Sequence, residues 1–317
     1  MKLTEYEIFT TPVDQHLALI KKNPEMPIYV YLNPVEYHGP HLSLHNDFIL
    51  ARSFAALLHT QRFSHIPFIQ APAIHFGHGP ASGAGSVSTS YPDLQNILIA
   101  MVKGIWQLGY RNFIFMTFHG DPLHNLAIWK AVKFVISKGG QAMAPFNLVL
   151  HEFMDYQADN FKEILPLLSV PDSEKQKILE NLYLDFHAGA FETSLVLSLS
   201  PDNVDENYKN LPAAGNFTPN FIFSALSKLA GSIGQKKLKN ELNFAANGLG
   251  WSLGPEYRGY TGFPALASKE LGDYFVYKKI LPMYLQEVEN VFERKQAPTG
   301  PIMSWVAPLS LGGRIAP

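Results

Sequence analysis

Short apolar runs alternate with longer amphipathic segments in the first half of the chain. The runs contain many β-branched and aromatic residues, and they predict strands at 27–32, 65–74, 113–118 and 146–150. In the segments between them, apolar residues recur every three or four positions, which predicts helices at 47–58, 90–108 and 123–137. The second of these helices has the clearest boundaries, because Ser90 can cap its start and Gly109 can end it.

The alternation of strands and helices predicts the fold class. Parallel strands need right-handed crossovers, which place the connecting helices on the faces of the sheet. We therefore expect an α/β fold, a three-layer α/β/α sandwich with a mostly parallel central sheet. Ligands of such open sheets bind beyond the carboxyl ends of the strands. The histidine-bearing loops after Leu32 and Phe118 leave such ends, so we expect the site there.

The second half of the chain is less regular. Residues 203–250 contain a polar loop and then a Lys-rich helical stretch at 228–244, which we interpret as an insertion or flap. A long helix is predicted at 267–294. We expect one domain over 1–292 and a Pro- and Gly-rich tail at 293–317 that wraps over a surface or a neighbouring subunit.

Composition limits the classes of ligand and partner. The formal net charge is −2 and the charges are mixed along the chain, so we expect neither a nucleic-acid partner nor a membrane anchor. The chain has no cysteine, which leaves His, Asp and Glu as candidate metal ligands. It contains no run of about 18 apolar residues, and the first residues lack the apolar core of a signal peptide. We expect a cytoplasmic protein that acts on a small polar molecule.

One segment after the first predicted strand concentrates groups that can bind metal ions. Glu36, His38, His41 and Asp47 lie within twelve residues. In an extended chain Glu36 and His38 point to the same side, because side chains alternate with a period of two. Imidazole and carboxylate suit ions such as Zn²⁺ or Mn²⁺, and Asp47 could bridge two ions about 3.5 to 4 Å apart. The alternative is that these residues only cap and hydrogen-bond the loop.

Two later segments carry similar chemistry. His119 and Asp121 follow the predicted strand at 113–118, and the sequence HAGAFETS contains His187 and Glu192 five residues apart. Together with the first segment, they resemble the creatininase (creatinine amidohydrolase) family. The first segment, EYHGPHLSLHND, has the family's full Glu-to-Asp spacing, and HAGAFETS matches the family's His-Ala-Gly-x-x-Glu-Thr-Ser pattern. The resemblance covers about 27–292.

The resemblance implies a site with two metal ions. Glu36, Asp47 and His119 would bind one ion, and His38, the bridging Asp47 and a further carboxylate would bind the other. That further carboxylate is either Asp121 or Glu192.

The remaining candidates have roles around the metal ions. By the same resemblance His187 would transfer the proton, and His41 would orient a ligand or contact the substrate. His78 lies in a glycine-rich loop and could line the mouth of the pocket. Asp121 could instead cap the helix that begins beside Pro122.

Three departures from the family pattern lie near the expected site. Thr117-Phe118 stands in place of Asn-Gly, Asp121-Pro122 in place of Gly-Asn, and Ala190 where many members have glutamate. These departures argue against creatinine itself as the substrate.

The sequence therefore leads to one main hypothesis and two alternatives. The main one is a metal-dependent amidohydrolase that hydrolyses a C–N bond of a cyclic or linear amide with a metal-activated water and two divalent ions per chain, Zn, Mn or Fe. The first alternative is a catalytically inactive metal-binding assembly protein of the same fold, and the second is a formamide deformylase. The resemblance also implies a homo-oligomer, such as a hexamer.

Overall fold

Five strands form one parallel sheet in the computed structural model, which describes residues 5–8, 10–214, 217–255 and 257–314. The strands are β1 Glu5–Glu7, β2 Pro27–Tyr31, β3 Phe68–Gln70, β4 Asn112–Met116 and β5 Gln141–Met143. Their order is β1-β3-β2-β4-β5, and every pairing is parallel. The central strands β2 and β4 are buried along their whole length, as both covered faces of a parallel sheet require.

Helices cover both faces of the sheet. They are α1 Val13–Lys22, α2 Asn46–Arg62, α3 Tyr91–Gln107, α4 Pro122–Ser137, α5 Phe146–Met154, α6 Asp172–Glu180, α7 Ala190–Leu199, α8 Phe221–Ser232, α9 Lys236–Ser252, α10 Lys269–Tyr274, α11 Leu281–Val288 and α12 Val306–Leu309. π-Helical segments at Phe275–Ile280 and Glu289–Glu293 extend α10 and α11 into one continuous helix. None of the helices in the described residues is long and apolar enough to cross a lipid bilayer.

The direction of the crossovers places the helices in two layers. The connection from β2 through α2 runs toward one edge of the sheet, and the connection from β4 through α4 runs toward the other. Right-handed crossovers therefore put α2 and α4 on opposite faces. α3 packs against α4, whereas α7 and α11 pack against α2. The predicted α/β sandwich is confirmed, and the ends of β2 and β4 form the switch point where ligands of such sheets bind.

The predicted strand at 146–150 is wrong. This segment belongs to α5, and the fifth strand is the shorter Gln141–Met143 just before it. Phe146, Val149 and Leu150 are buried at helical spacing, but a short apolar run cannot distinguish a buried strand from a buried helix. The run at 65–74 is likewise extended over a shorter length, because only Phe68–Gln70 pairs as a strand.

The second half of the chain contains more helix than its pattern predicted. The Lys-rich stretch at 228–244 forms parts of two helices, α8 and α9, which are separated at Gly234 with a φ of +76°. The described part of the tail lies against its own chain. The buried carboxylate of Glu241 accepts hydrogen bonds from the Met303 amide at 3.1 Å and from the Trp305 indole at 2.6 Å.

Candidate metal centre

The ends of β2 and β4 are tied together by a buried asparagine. The side chain of Asn33 donates to the carbonyl of Met116 at 3.2 Å and accepts from the amide of Phe118 at 3.0 Å. This pair of hydrogen bonds holds the loops after the two strands side by side, which brings Glu36 and His119 into contact. The partners of Asn33 lie more than 80 residues away, so no local sequence pattern indicates this role.

The first cluster of ligand atoms contains Glu36, Asp47 and His119. The Nδ1 atom of His119 lies 2.7 Å from Glu36 Oε2 and 3.6 Å from Asp47 Oδ2. All three side chains are buried, and their ligand atoms lie within 4.8 Å of one another.

The second cluster contains His38, Asp47 and Glu192. The Nε2 atom of His38 lies 3.1 Å from Asp47 Oδ1 and 3.7 Å from Glu192 Oε2, and the ligand atoms again lie within 4.8 Å of one another. Asp47 therefore directs one carboxylate oxygen to each cluster. Asp47 and Glu192 both lie in the first turn of a helix, α2 and α7, where backbone N–H groups favour negative charge.

Backbone carbonyls fix the orientation of both imidazoles. His119 Nε2 lies 2.9 Å from the carbonyl oxygen of His78, and His38 Nδ1 lies 3.1 Å from that of Glu36. A carbonyl oxygen only accepts, so each of these nitrogens carries a proton, and the other nitrogen of each ring faces the carboxylates, where its lone pair can bind a metal ion once the imidazole is neutral. Hydrogen bonds of this kind orient histidines that bind metal ions.

The clusters fit divalent cations. Glu36 Oε2 and Asp47 Oδ2 are buried beside the His119 imidazole, and no Lys or Arg in the described residues forms an ion pair with Glu36, Asp47 or Glu192. Three buried carboxylates that have only imidazoles as cationic partners carry a large desolvation cost. A divalent cation in each cluster would offset this cost.

The pKa values of the two imidazoles also show that the clusters favour positive charge. Burial by itself lowers the pKa of His38, but Asp47, Glu36 and Glu192 raise it to about 10. The pKa of His119 is likewise lowered by burial and raised to about 10 by Glu36 and Asp47. Without a cation the carboxylates hold protons on these imidazoles, and binding of a metal ion displaces those protons.

His187 lies beside both clusters. Its Nε2 donates to the carbonyl of Tyr37 at 3.1 Å, and its Nδ1 lies 3.9 Å from Glu36 Oε1. Burial and the neighbouring His38 lower the pKa of His187 to about 3, so its imidazole is neutral. The indole of Trp251, on α9, covers this imidazole with the ring centres 4.9 Å apart.

The loop that carries His187 is built around a buried carboxylate that sequence reasoning missed. Asp185 accepts hydrogen bonds from the amides of Ala190 at 2.9 Å, Phe191 at 2.8 Å and Phe263 at 2.8 Å. The next turn places Ala188 at a φ of +47°, a strained conformation for a residue with a Cβ. The amide of Ala188 donates to Glu192 at 2.6 Å, so this turn also orients Glu192.

Asp185→Asn is expected to destabilise the protein by about 1–3 kcal/mol, because its amide nitrogen would face backbone donors. The free energy of unfolding from urea titration measures this change. Asp205→Asn is the matched control, since Asp205 caps an exposed turn with one hydrogen bond. Equal stability of the two variants would contradict the role given to Asp185.

Three other predicted site residues lie outside the two clusters. Asp121 caps α4 by accepting from the His124 amide at 2.8 Å, and the same oxygen accepts from His78 Nδ1 at 2.9 Å. His41 contacts the hydroxyl of Thr193 at 2.9 Å. The structure thus brings together Glu36, His38, Asp47, His119, Glu192 and His187, with Asp121, His78 and His41 around them.

Known proteins with similar sequences or structures point to one family. The family model described as creatininase, creatinine amidohydrolase, matches residues 22–280. A crystal structure of creatinine amidohydrolase (creatininase) superimposes with a TM-score of 0.60 at 15% identity, covering 92% of this chain and 99% of that chain. A mutant creatininase of the Zn-Zn type gives 0.60 at 14% identity, and a structure named creatininase Mn gives 0.58 at 14%; each covers 92% of this chain and 100% of its own.

A search of curated proteins finds no significant sequence match. The structural likeness, at this low identity, supports the fold. The family model matches most of the chain, including the three segments that hold the clustered side chains. The chain therefore belongs to the creatininase family.

Proposed function

We propose that the protein is a metal-dependent amidohydrolase that hydrolyses a C–N bond of a cyclic or linear amide. The observation that carries this proposal is the position of Asp47, whose two carboxylate oxygens each join a separate buried cluster. A carboxylate with one oxygen at each of two sites can bridge two ions at the spacing of about 3.5–4 Å that two-metal enzymes use. Family membership supports the reaction class, since the family model is described as creatinine amidohydrolase.

Each cluster would hold one divalent ion. Glu36, Asp47 and His119 would hold the first, and His38, Asp47 and Glu192 the second. This choice of Glu192 rests on its contact with His38, while Asp121 is engaged in capping α4. Imidazole and carboxylate ligands suit Zn²⁺, Mn²⁺ or Fe²⁺. When bound, such ions polarise a carbonyl oxygen and lower the pKa of water.

His187 is positioned to move the proton. Its Nε2 is held by the Tyr37 carbonyl, so the lone pair on Nδ1 faces Glu36 and the clusters. The neutral imidazole can accept a proton from the attacking water and donate it to the leaving nitrogen. Trp251 lies over His187, which keeps bulk water away from this proton transfer.

Two aromatic side chains favour a small planar amide as the substrate. The ring of Tyr257 lies 5.2 Å from that of Trp251. Its hydroxyl is buried and has no hydrogen-bond partner among the described residues, so it can donate to a substrate oxygen. A flat ring or amide plane would stack on these side chains.

Metal analysis combined with an amide panel tests the proposal. We expect near two equivalents of Zn, Mn or Fe per purified chain, and hydrolysis of at least one lactam or linear amide. Chelation should remove the activity, and added Zn²⁺ or Mn²⁺ should restore it, because the clusters lose their cations. A metal-stripped protein with full activity would contradict the proposal. Two bound ions without hydrolysis of any amide, lactam or formamide would identify a binding protein, and activity on formamides alone a deformylase.

A further inference from the structure

The helix α8 exposes an apolar ridge that no part of its own chain covers among the described residues. The ridge consists of Ile222, Leu226 and Leu229 on α8 and Ile233 at its C-cap, which are 64%, 43%, 60% and 66% exposed. Spacings of four, three and four residues place the four aliphatic side chains on one side of the helix. The buried residues of α8, Ser227 and Ala230, lie on the side that adjoins the ridge. The ridge is therefore a surface in addition to the face that α8 packs on α9.

The ridge carries no charge. Lys228 is the one charged residue in 221–233. Along the chain it lies one residue from Leu229, two from Leu226, five from Ile233 and six from Ile222. At 3.6 residues per turn it points to a different side of the helix. A second helix can therefore approach the ridge without burying an ammonium group.

The order of residues in the ridge makes it complementary to itself. Ile222 and Ile233 are equally distant from the midpoint between 227 and 228, and so are Leu226 and Leu229. In an antiparallel pair about a two-fold axis at this midpoint, Ile222 faces Ile233 of the partner subunit. Leu226 then faces the partner's Leu229. A two-fold interface requires this kind of matching, in which the same patch serves both copies.

The exposed apolar area of the ridge is large enough for a second copy of the chain to bind there. Exposed apolar patches on monomers reach about 300–600 Å², and the four ridge side chains, which are 43% to 66% exposed, place this ridge within that range. Two such ridges would bury on the order of 1,000 Å² in total, which is the minimum for a specific protein interface.

We propose that the ridge of α8 is a self-association surface that pairs antiparallel with α8 of a second copy. The pairing bears on the metal centre through α9. The Ser227 hydroxyl on α8 donates to the carbonyl of Lys239 on α9 at 2.9 Å, and α9 carries Trp251 onto His187. Association would thus hold the cover of the metal centre in place. The proposed surface does not depend on the proposed reaction.

The mass of the full chain in solution tests the surface. Leu226→Asp with Leu229→Asp should halve the mass measured by light scattering after gel filtration, because two pairs of carboxylates would be buried in the interface. Leu309→Asp is the matched control, since Leu309 is 70% exposed on the separate helix α12. Circular dichroism melting checks that the variants fold. The proposal would be overturned if the ridge substitutions left the mass in solution unchanged. It would also be overturned if the unsubstituted protein were monomeric at every concentration.

Cysteine cross-linking tests the antiparallel register. The sequence contains no cysteine, so only the introduced thiols can form disulfides. We expect an equal mixture of Ile222→Cys and Ile233→Cys chains to form disulfide-linked dimers on mild oxidation, while each variant alone forms few, because the antiparallel pair separates Ile222 from the partner's Ile222 by about 16 Å along the helix. Efficient cross-linking of Ile222→Cys with itself would overturn the antiparallel arrangement. Co-sedimentation of a monomeric parent with phosphatidylglycerol vesicles would assign the ridge to a lipid surface instead, and would also overturn the proposal.

Discussion

Asp47→Asn is expected to release both metal ions and to reduce kcat by at least about a thousandfold. The physical reason is that Asp47 gives one oxygen to each cluster, so a single substitution weakens two sites. Loss of one preorganised electrostatic contact already costs about 10²–10³ in rate, and loss of the cations removes more. Elemental analysis of the purified variant and turnover of the best amide from the panel measure the two effects.

The stability of the metal-free protein separates loss of binding from loss of folding. Asp47 is buried beside Glu36, and burial raises the pKa of Asp47. In the metal-free protein Asp47 also pairs with the His38 imidazole at 3.1 Å, and Asn keeps the shape of the side chain but loses this pairing. We therefore expect Asp47→Asn to melt below the metal-stripped parent, but still in one cooperative transition. A folded variant that keeps both ions would refute the bridging role.

Glu192→Gln and Asp121→Asn together determine which carboxylate completes the second site. We expect Glu192→Gln to lose one equivalent of metal and at least about a hundredfold in kcat, because Glu192 Oε2 lies 3.7 Å from His38 Nε2. Asp121→Asn should keep two equivalents and lose about tenfold or less. Its carboxylate binds His78 and the start of α4, and it acts on His119 through the His78 carbonyl and through its charge, without joining either cluster.

The two substitutions are matched as isosteric changes from carboxylate to amide. In Glu192→Gln the remaining side-chain carbonyl can still accept from the Ala188 amide, so the turn before α7 should be preserved. Metal content measured under the same buffer and the melting temperature provide the readouts. If Asp121→Asn loses one ion and Glu192→Gln keeps both, the loop at 119–121 must rearrange when metal binds, and the assignment of the second site is wrong.

The features that depend on local pattern could be predicted from the amino-acid sequence. Apolar runs and helical spacing predicted β2, β4, α3 and α4, and the alternation of strand and helix predicted the parallel sheet. The spacing of Glu36, His38 and Asp47 was also enough to identify these residues as candidate metal ligands. These patterns can be interpreted because the strand and helix periods repeat within a few residues. The metal preference of a ligand depends on its residue type alone.

The spatial arrangement of residues that are far apart in the sequence follows only from the tertiary structure. A short apolar run could not reveal that 146–154 is a helix, since strand and helix bury it equally well. The positions of Glu192 and Asp121 relative to His38 depend on how α7 packs against α2 and how α4 leaves β4, over separations of more than 80 residues. The exposure of the ridge on α8 follows from the same cause, because the apolar spacing of a helix does not state which face its neighbours cover.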